Sequence, residues 1–231
     1  MIVAIDGPAG AGKSSVARQL AERVGFKHLD SGAFYRCFAY IALISSKDID
    51  SADGWTTIID NNTVEADYRD NPAKFYINGK DVTQAIRDNE VSKVVAVVSK
   101  HQQVRSAVNR KLQTVANQDN FIVDGRDIGS AVFPQAELKF FLTASIEERA
   151  KRRYLELLSK GTQVDPRKLE QEIRVRDQID STRNLSPLIQ AHDAELVDST
   201  NMNLVQVVEY LKVKIESVHS EDTADKRVVN Q

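Results

Sequence analysis

Apolar residues fall into two rhythms along this chain, and each rhythm predicts a different element. Ile2-Val3-Ala4-Ile5 is short and continuously apolar, as a buried strand requires, whereas Val16, Ala17, Leu20, Ala21 and Val24 recur at helical spacing. Gly25 reads as the stop of that helix, and Lys27-His28-Leu29 as a second short strand ending at Asp30. A second helix carries Ala33, Phe34, Cys37, Phe38, Ile41 and Ile44 on its apolar side, with Ser31 as its expected N-cap. Further strands are predicted at Phe121–Asp124, Leu138–Leu142 and Glu195–Asp198, making five in all. Ser145 and Glu148 have capping-box spacing, Asp165-Pro166 marks a fresh helix start, and Leu204, Val207, Val208, Leu211 and Ile215 stripe a final helix. Strand alternating with helix implies an α/β fold built on a five-stranded parallel sheet flanked by helices.

The rhythm breaks between residues 58 and 98. Thr63 to Tyr68 alternates apolar and polar residues, Asn71-Pro72 and Asn78-Gly79 are turn signals, and Phe75-Tyr76-Ile77 is strand-like. These features predict a small antiparallel ribbon, followed by one helical stretch from Val91 to Val115. An excursion of that size from a compact α/β core points to a lid or a binding surface. Residues 219–231 are polar and aperiodic and read as a flexible tail.

Chemistry enters between the first strand and the first helix. Gly7-Pro8-Ala9-Gly10-Ala11-Gly12-Lys13-Ser14 has the P-loop spacing GxxxxGK[ST], with Ser15 next to it, in the strand-turn-helix setting that the motif requires. Glycines let successive backbone N–H groups turn inward around phosphate oxygens, and the helix start adds unpaired N–H groups and the positive end of its dipole. Lys13 is then expected on the β- and γ-phosphates of a nucleoside triphosphate, with the Ser14 hydroxyl ligating Mg²⁺.

Composition narrows the remaining classes. At 231 residues the chain can bury a substantial core, and its net charge of −2 gives no global attraction to nucleic acid or anionic membrane. Cys37 is the only cysteine, which excludes an internal disulfide and suits a reducing compartment. With no span-length apolar run and no cleavable leader, the chain is expected in the cytoplasm.

Three charged clusters stand where ligands of an open parallel sheet bind, beyond the carboxyl ends of strands. Arg176, Asp180 and Arg183 share one helical face, as phosphoryl transfer needs for charge neutralisation, although the same spacing also suits a solvated Arg–Asp pair. Asp124-Gly125-Arg126-Asp127 follows a strand expected beside the P-loop strand; one of its carboxylates is a candidate for the magnesium shell and Arg126 for an acceptor phosphate. Asp30-Ser31-Gly32-Ala33-Phe34-Tyr35-Arg36 occupies the next strand end, with Arg36 able to reach an anion at the helix entrance. From these residues alone two classes remain: a P-loop kinase of a small acceptor, or a nucleotide-binding switch. The guanine motif Asn-Lys-x-Asp of a regulatory GTPase is absent.

Taken together, the P-loop Gly7–Ser15, Asp30–Arg36, Asp124–Asp127 and Arg176-Asp177-x-x-Asp180-x-x-Arg183 resemble bacterial cytidylate kinases, from Met1 to about Val218. The resemblance implies a nucleoside monophosphate kinase fold, with a core of residues 1–57 and 99–218, a monophosphate-binding insert at 58–98 and a helical lid within about 149–184. It implies transfer of the γ-phosphoryl group of Mg·ATP to CMP or dCMP by a monomer, with neither nucleic acid nor membrane as partner. Position by position, it assigns Ser31, Tyr35 and Arg36 to the acceptor nucleotide and Arg126 to its phosphate. Arg105 and Asp127 are assigned to the cytosine edge and Asp180 to the sugar hydroxyls, while Arg176 and Arg183 bridge the phosphates. Lys13, Arg126, Arg176 and Arg183 form the catalytic set, and Arg149 and Arg153 belong to the lid. One position departs: the family often carries a base-contacting serine where Ala96 stands here. A lost contact of that kind is worth on the order of 1 kcal/mol.

Overall fold

In the computed structural model, residues 1–45, 52–117, 119–159, 161 and 164–228 are described, with side chains as far as residue 218. Five parallel strands form the main sheet: β1 (Ile2–Asp6), β2 (Lys27–Asp30), β6 (Phe121–Asp124), β7 (Leu138–Thr143) and β8 (Glu195–Asp198). Their order is β2-β6-β1-β7-β8, so the strand feeding the P-loop is central. Burial on both faces explains why the inner strands β1 and β6 read as continuous apolar runs. Along β1, Val3 and Ile5 point into one core and Ala4 into the other.

The first core lies under α1 (Lys13–Val24) and α8 (Leu204–Val228), whose Val16, Leu20, Val208 and Leu211 pack on Ile122, Phe140 and Leu142. The second packs α2 (Ser31–Ser45), α3 (Ala52–Asp60), α4 (Asn89–Val98) and α5 (Gln102–Ala116) against Leu29 and Val123. Trp55 and Ile58 of α3 are buried there, so the segment that departs from the core rhythm begins inside a helix. The tail read as flexible continues α8 to Val228 in backbone; its side chains from His219 onward and residues 229–231 lie outside the described residues.

The excursion holds a three-stranded antiparallel sheet of β3 (Val64–Asp67), β4 (Lys74–Ile77) and β5 (Lys80–Asp81). Asn78 and Gly79, with φ of 51 and 77, make the β4–β5 turn, since a two-residue hairpin turn of matching twist needs positive φ at both positions. Phe75 meets Phe34 of α2 edge-on at 5.4 Å and so ties this sheet to the core.

Two local expectations change. The single helix expected from Val91 to Val115 is two helices, broken at Ser99, Lys100 and His101. Ser99 Oγ turns back to the Ala96 carbonyl, the N–H groups of Lys100 and His101 bond three residues back, and extended backbone at His101 opens α5. Ser31 is not the N-cap of α2 but its first residue. Asp30 Oδ1 accepts from the N–H of Ala33 at 2.9 Å, which frees the Ser31 hydroxyl to donate to the Asp124 carbonyl at 2.6 Å.

The other caps follow the sequence. Asp165 accepts from the N–H of Arg167 ahead of α7 (Pro166–Thr182). At α6 (Ile146–Ser159) half of the capping box forms: Ser145 Oγ accepts from the N–H of Glu148, while the Glu148 carboxylate turns to Arg152.

Candidate active site

The P-loop joins the end of β1 to the start of α1, and its glycines are required by contact as well as by conformation. Gly7 sits at φ 146, where a Cβ would stand 2.0 Å from the Leu142 carbonyl oxygen; Gly12 caps α1 at φ 88. Pro8, Ala9, Gly10 and Ala11 complete the turn. Lys13 is buried and donates to the Pro8 carbonyl at 2.7 Å. Burial first, and then the Arg126 charge, push its ammonium well below the ordinary lysine range.

Of the two candidate carboxylates, Asp124 is the one that meets Ser14. Its hydroxyl donates to Asp124 Oδ2 at 2.6 Å, and Asp124 Oδ1 lies 2.7 Å from His28 Nε2. Burial raises the Asp124 carboxyl, but the His28 and Ser14 hydrogen bonds and the Lys13 charge outweigh it, so the group titrates below its usual range. Among the described residues, no three His, Cys, Asp or Glu side chains form a metal cage. A hydroxyl oriented by an ionised carboxylate fits a divalent cation whose other ligands are phosphate oxygens and water. Ser15 follows on the exposed side of α1.

Asp127 takes the opposite role. It pairs with Arg105 and with Arg183 Nη2, the latter at 3.1 Å, and all three side chains are nearly buried. The Arg105 guanidinium lies 5.7 Å from the Tyr35 ring centre and donates to the Ser99 carbonyl at 3.3 Å.

Asp180 gathers the remaining arginines. Its Oδ2 accepts from Arg126 Nε at 2.9 Å and from Arg176 Nε at 3.1 Å, and Arg183 Nη1 stands 3.9 Å from Oδ1. Burial raises this carboxyl too, and Arg126 and Arg176 carry it below its usual range. Asp180 is 0% exposed, and its Oδ1 is buried without a hydrogen-bond partner. Arg36 joins from α2 with Nη1 2.7 Å from Ser92 Oγ; burial pushes it down to about 10, with Arg87, Arg176 and Arg153 adding their positive charges.

Arg126, Arg176, Asp180, Arg183, Asp127, Arg105 and Tyr35 therefore belong to one connected region. Arg149, in α6, is buried against the P-loop and donates to the Ala9 carbonyl at 2.8 Å. Arg153, half-buried on α6, pairs with Glu156 and lies near enough to act on the Arg36 charge. Ala96 is buried and presents no polar side chain.

Four contributors have no distinctive local pattern in the sequence. Asp6 accepts from the N–H groups of Ile128 and Gly129 at 2.8 and 2.7 Å, pinning the loop that carries Arg126 and Asp127. His28 braces Asp124, and Arg87 pairs with Asp30 at 2.9 Å. Arg152 ties α6 to the Ser199 and Met202 carbonyls. A fifth, Asp177, lies inside a recognisable motif, but only the fold reveals its partners: it accepts from the N–H of Ala9 at 2.9 Å.

Residues 3–217 match the family model described as cytidylate kinase. The chain is 44% identical over 207 residues to a cytidylate kinase of Shouchella clausii, covering 90% of this chain and 92% of that protein. It is 41% identical over 219 residues to one of Halalkalibacterium halodurans, covering 93% and 99%. Among solved structures, an uncharacterized protein from Eubacterium ventriosum superposes with a TM-score of 0.54 at 14% identity, covering 94% of this chain and 99% of that one, a likeness of fold alone. With that identity sustained across almost its whole length, the chain belongs to the cytidylate kinase family.

Proposed function

We propose that this protein transfers the γ-phosphoryl group of Mg·ATP to CMP or dCMP, yielding ADP and the nucleoside diphosphate. The observation that carries the reading is the Asp180 carboxylate holding Arg126 and Arg176, with Arg183 alongside, close enough to Lys13 for Arg126 and Asp180 to act on its charge. Cations drawn from three distant parts of the chain meet beside a P-loop, as two mutually repelling nucleotides require.

In the reaction an acceptor phosphate oxygen attacks the γ-phosphorus. The new P–O bond forms as the bond to the β-bridging oxygen breaks, and ADP leaves. The attacking oxygen is already anionic, so no strong base is needed. Ser14 would hold a divalent cation, Mg²⁺ in this reading, which would supply charge neutralisation to the bound triphosphate. Residues 7–15 cradle the ATP phosphates, Lys13, Arg126, Arg176 and Arg183 spread the transferring charge, and Ser31, Tyr35 and Arg36 serve the acceptor. Arg105 and Asp127 read the base, and the unpartnered Oδ1 of Asp180 takes a sugar hydroxyl. In this scheme residues 58–98 form the acceptor-binding insert and α6–α7, within 149–184, the lid on the core of 1–57 and 99–218.

The enzyme acts as a cytoplasmic monomer without nucleic-acid or membrane partners. A single buried cysteine, a near-neutral charge and a site drawn from one chain support this. No described helix is long and apolar enough to cross a membrane.

The test is ADP release from Mg·ATP over a panel of CMP, dCMP, UMP, AMP, TMP and shikimate. Release stimulated by CMP and dCMP above all others is expected, with some UMP activity because Ala96 adds no polar contact to the base. Slow release independent of any acceptor would instead indicate a nucleotide-binding switch.

A further inference from the structure

The Ala9 peptide, in the middle of the P-loop, is gripped on both sides by a pair from other elements. Its N–H donates to Asp177 Oδ1 of α7 at 2.9 Å, and its carbonyl accepts from Arg149 Nη1 of α6 at 2.8 Å. The two side chains close the ring on each other, Arg149 Nη1 lying 2.5 Å from Asp177 Oδ2, and Arg149 Nε is anchored on the Ala144 carbonyl at 2.9 Å. Gly10 lets α6 lie directly against the loop, since a Cβ there would meet Arg149 Cβ at 3.1 Å.

We propose that Arg149 and Asp177 are positioning residues, a clasp that registers α7 and its arginines on the phosphate-binding loop. Apolar packing does not hold that half of the helix: Ile173 is the last fully buried apolar residue of α7, and Asp180 the only buried residue beyond it. The part bearing Arg176 and Arg183 is therefore set by polar links, to Asp180 within the site and through Asp177 to the loop. An exposed Arg–Asp pair contributes little, but this one is joined to loop backbone at both ends, and the Arg149 and Asp177 side chains are 9% and 20% exposed. Because α7 is a rigid helix, fixing Asp177 fixes the placement of Arg176, one residue before it, and of the helix end, where Arg183 stands as the C-cap. Loosening it admits water to a site that must exclude it.

The inference rests on the kinase reading, and its experiment separates the two. Asp177→Ala and Asp177→Asn are compared with wild type for CMP-dependent and acceptor-free ADP release from Mg·ATP, together with hydrogen exchange of the P-loop and α7 amides. Asp177→Ala is expected to lower transfer on the order of 100-fold, raise hydrolysis relative to transfer severalfold and speed exchange at Ala9. Asp177→Asn keeps an oxygen for the Ala9 N–H and is expected to recover part of each effect, a graded rescue that a general loss of stability does not produce. Wild-type partition between water and CMP in a folded Asp177→Ala protein would overturn the proposal. Should that variant not fold, wild-type partition in Asp177→Asn would do so. If wild type itself gives no CMP-dependent release, the acceptor reading fails while the exchange measurement still decides the clasp: unchanged protection at Ala9 refutes it.

Discussion

Asp127 and Asp180 show how a residue's chemistry is decided by what surrounds it. Both are carboxylates among arginines, yet Asp127 closes a buried pair of ion pairs with Arg105 and Arg183, while Asp180 keeps one oxygen without a hydrogen bond. Removing Asp127 altogether would strand two buried guanidiniums, at a cost of about 3–5 kcal/mol. Asp127→Asn is therefore the informative change: KM for CMP should rise well above wild type while KM for ATP hardly moves, and equal effects on both would remove Asp127 from base recognition. Arg183→Ala should lower kcat by about 10³-fold, the scale of a lost transition-state arginine. Steady-state turnover of a protein with wild-type circular dichroism checks it, and unchanged turnover would take Arg183 out of the mechanism.

Among the elements, the P-loop was legible because its constraints are local. Glycine is needed at Gly7 for a positive φ and for close approach to Leu142, and both demands leave their mark in the motif. Gly7→Ala should abolish the protection that ATP gives against thermal unfolding, read as the loss of the ATP-dependent rise in Tm; a preserved rise would show that the loop tolerates the Cβ. The break between α4 and α5 was illegible for the converse reason. Ser99, Lys100 and His101 include neither glycine nor proline, and apolar residues continue at helical spacing on both sides. The turn is made by Ser99 Oγ and Arg105 bonding back to neighbouring carbonyls. The shift of the α2 cap from Ser31 to Asp30 has a similar origin, since both types cap well and only the nearness of the Asp124 carbonyl decides between them.

Across the whole molecule, Asp6 links the central strand to the loop bearing Arg126 and Asp127, and burial pushes its carboxyl up to about 6 despite two backbone donors. The unfolded chain keeps the ordinary value of 3.8, so between that pH and about 6 the folded state binds more protons. This group's contribution to stability accordingly falls as pH rises through the window, by on the order of 3 kcal/mol. Chemical denaturation at several pH values should show that fall in wild type against Asp6→Asn, and parallel profiles would contradict it. The sequence by itself determined the five parallel strands, the phosphate loop, the excursion after α2 and the residue types of the site, because strand burial, helical spacing and glycine conformation act between near neighbours. Which carboxylate meets Ser14, that Arg126 joins Arg176 on Asp180, and how α7 is tied to Ala9 were decided only by tertiary structure. Those contacts join residues from 54 to 168 positions apart, and Coulomb attraction in a desolvated cleft depends on distance in space.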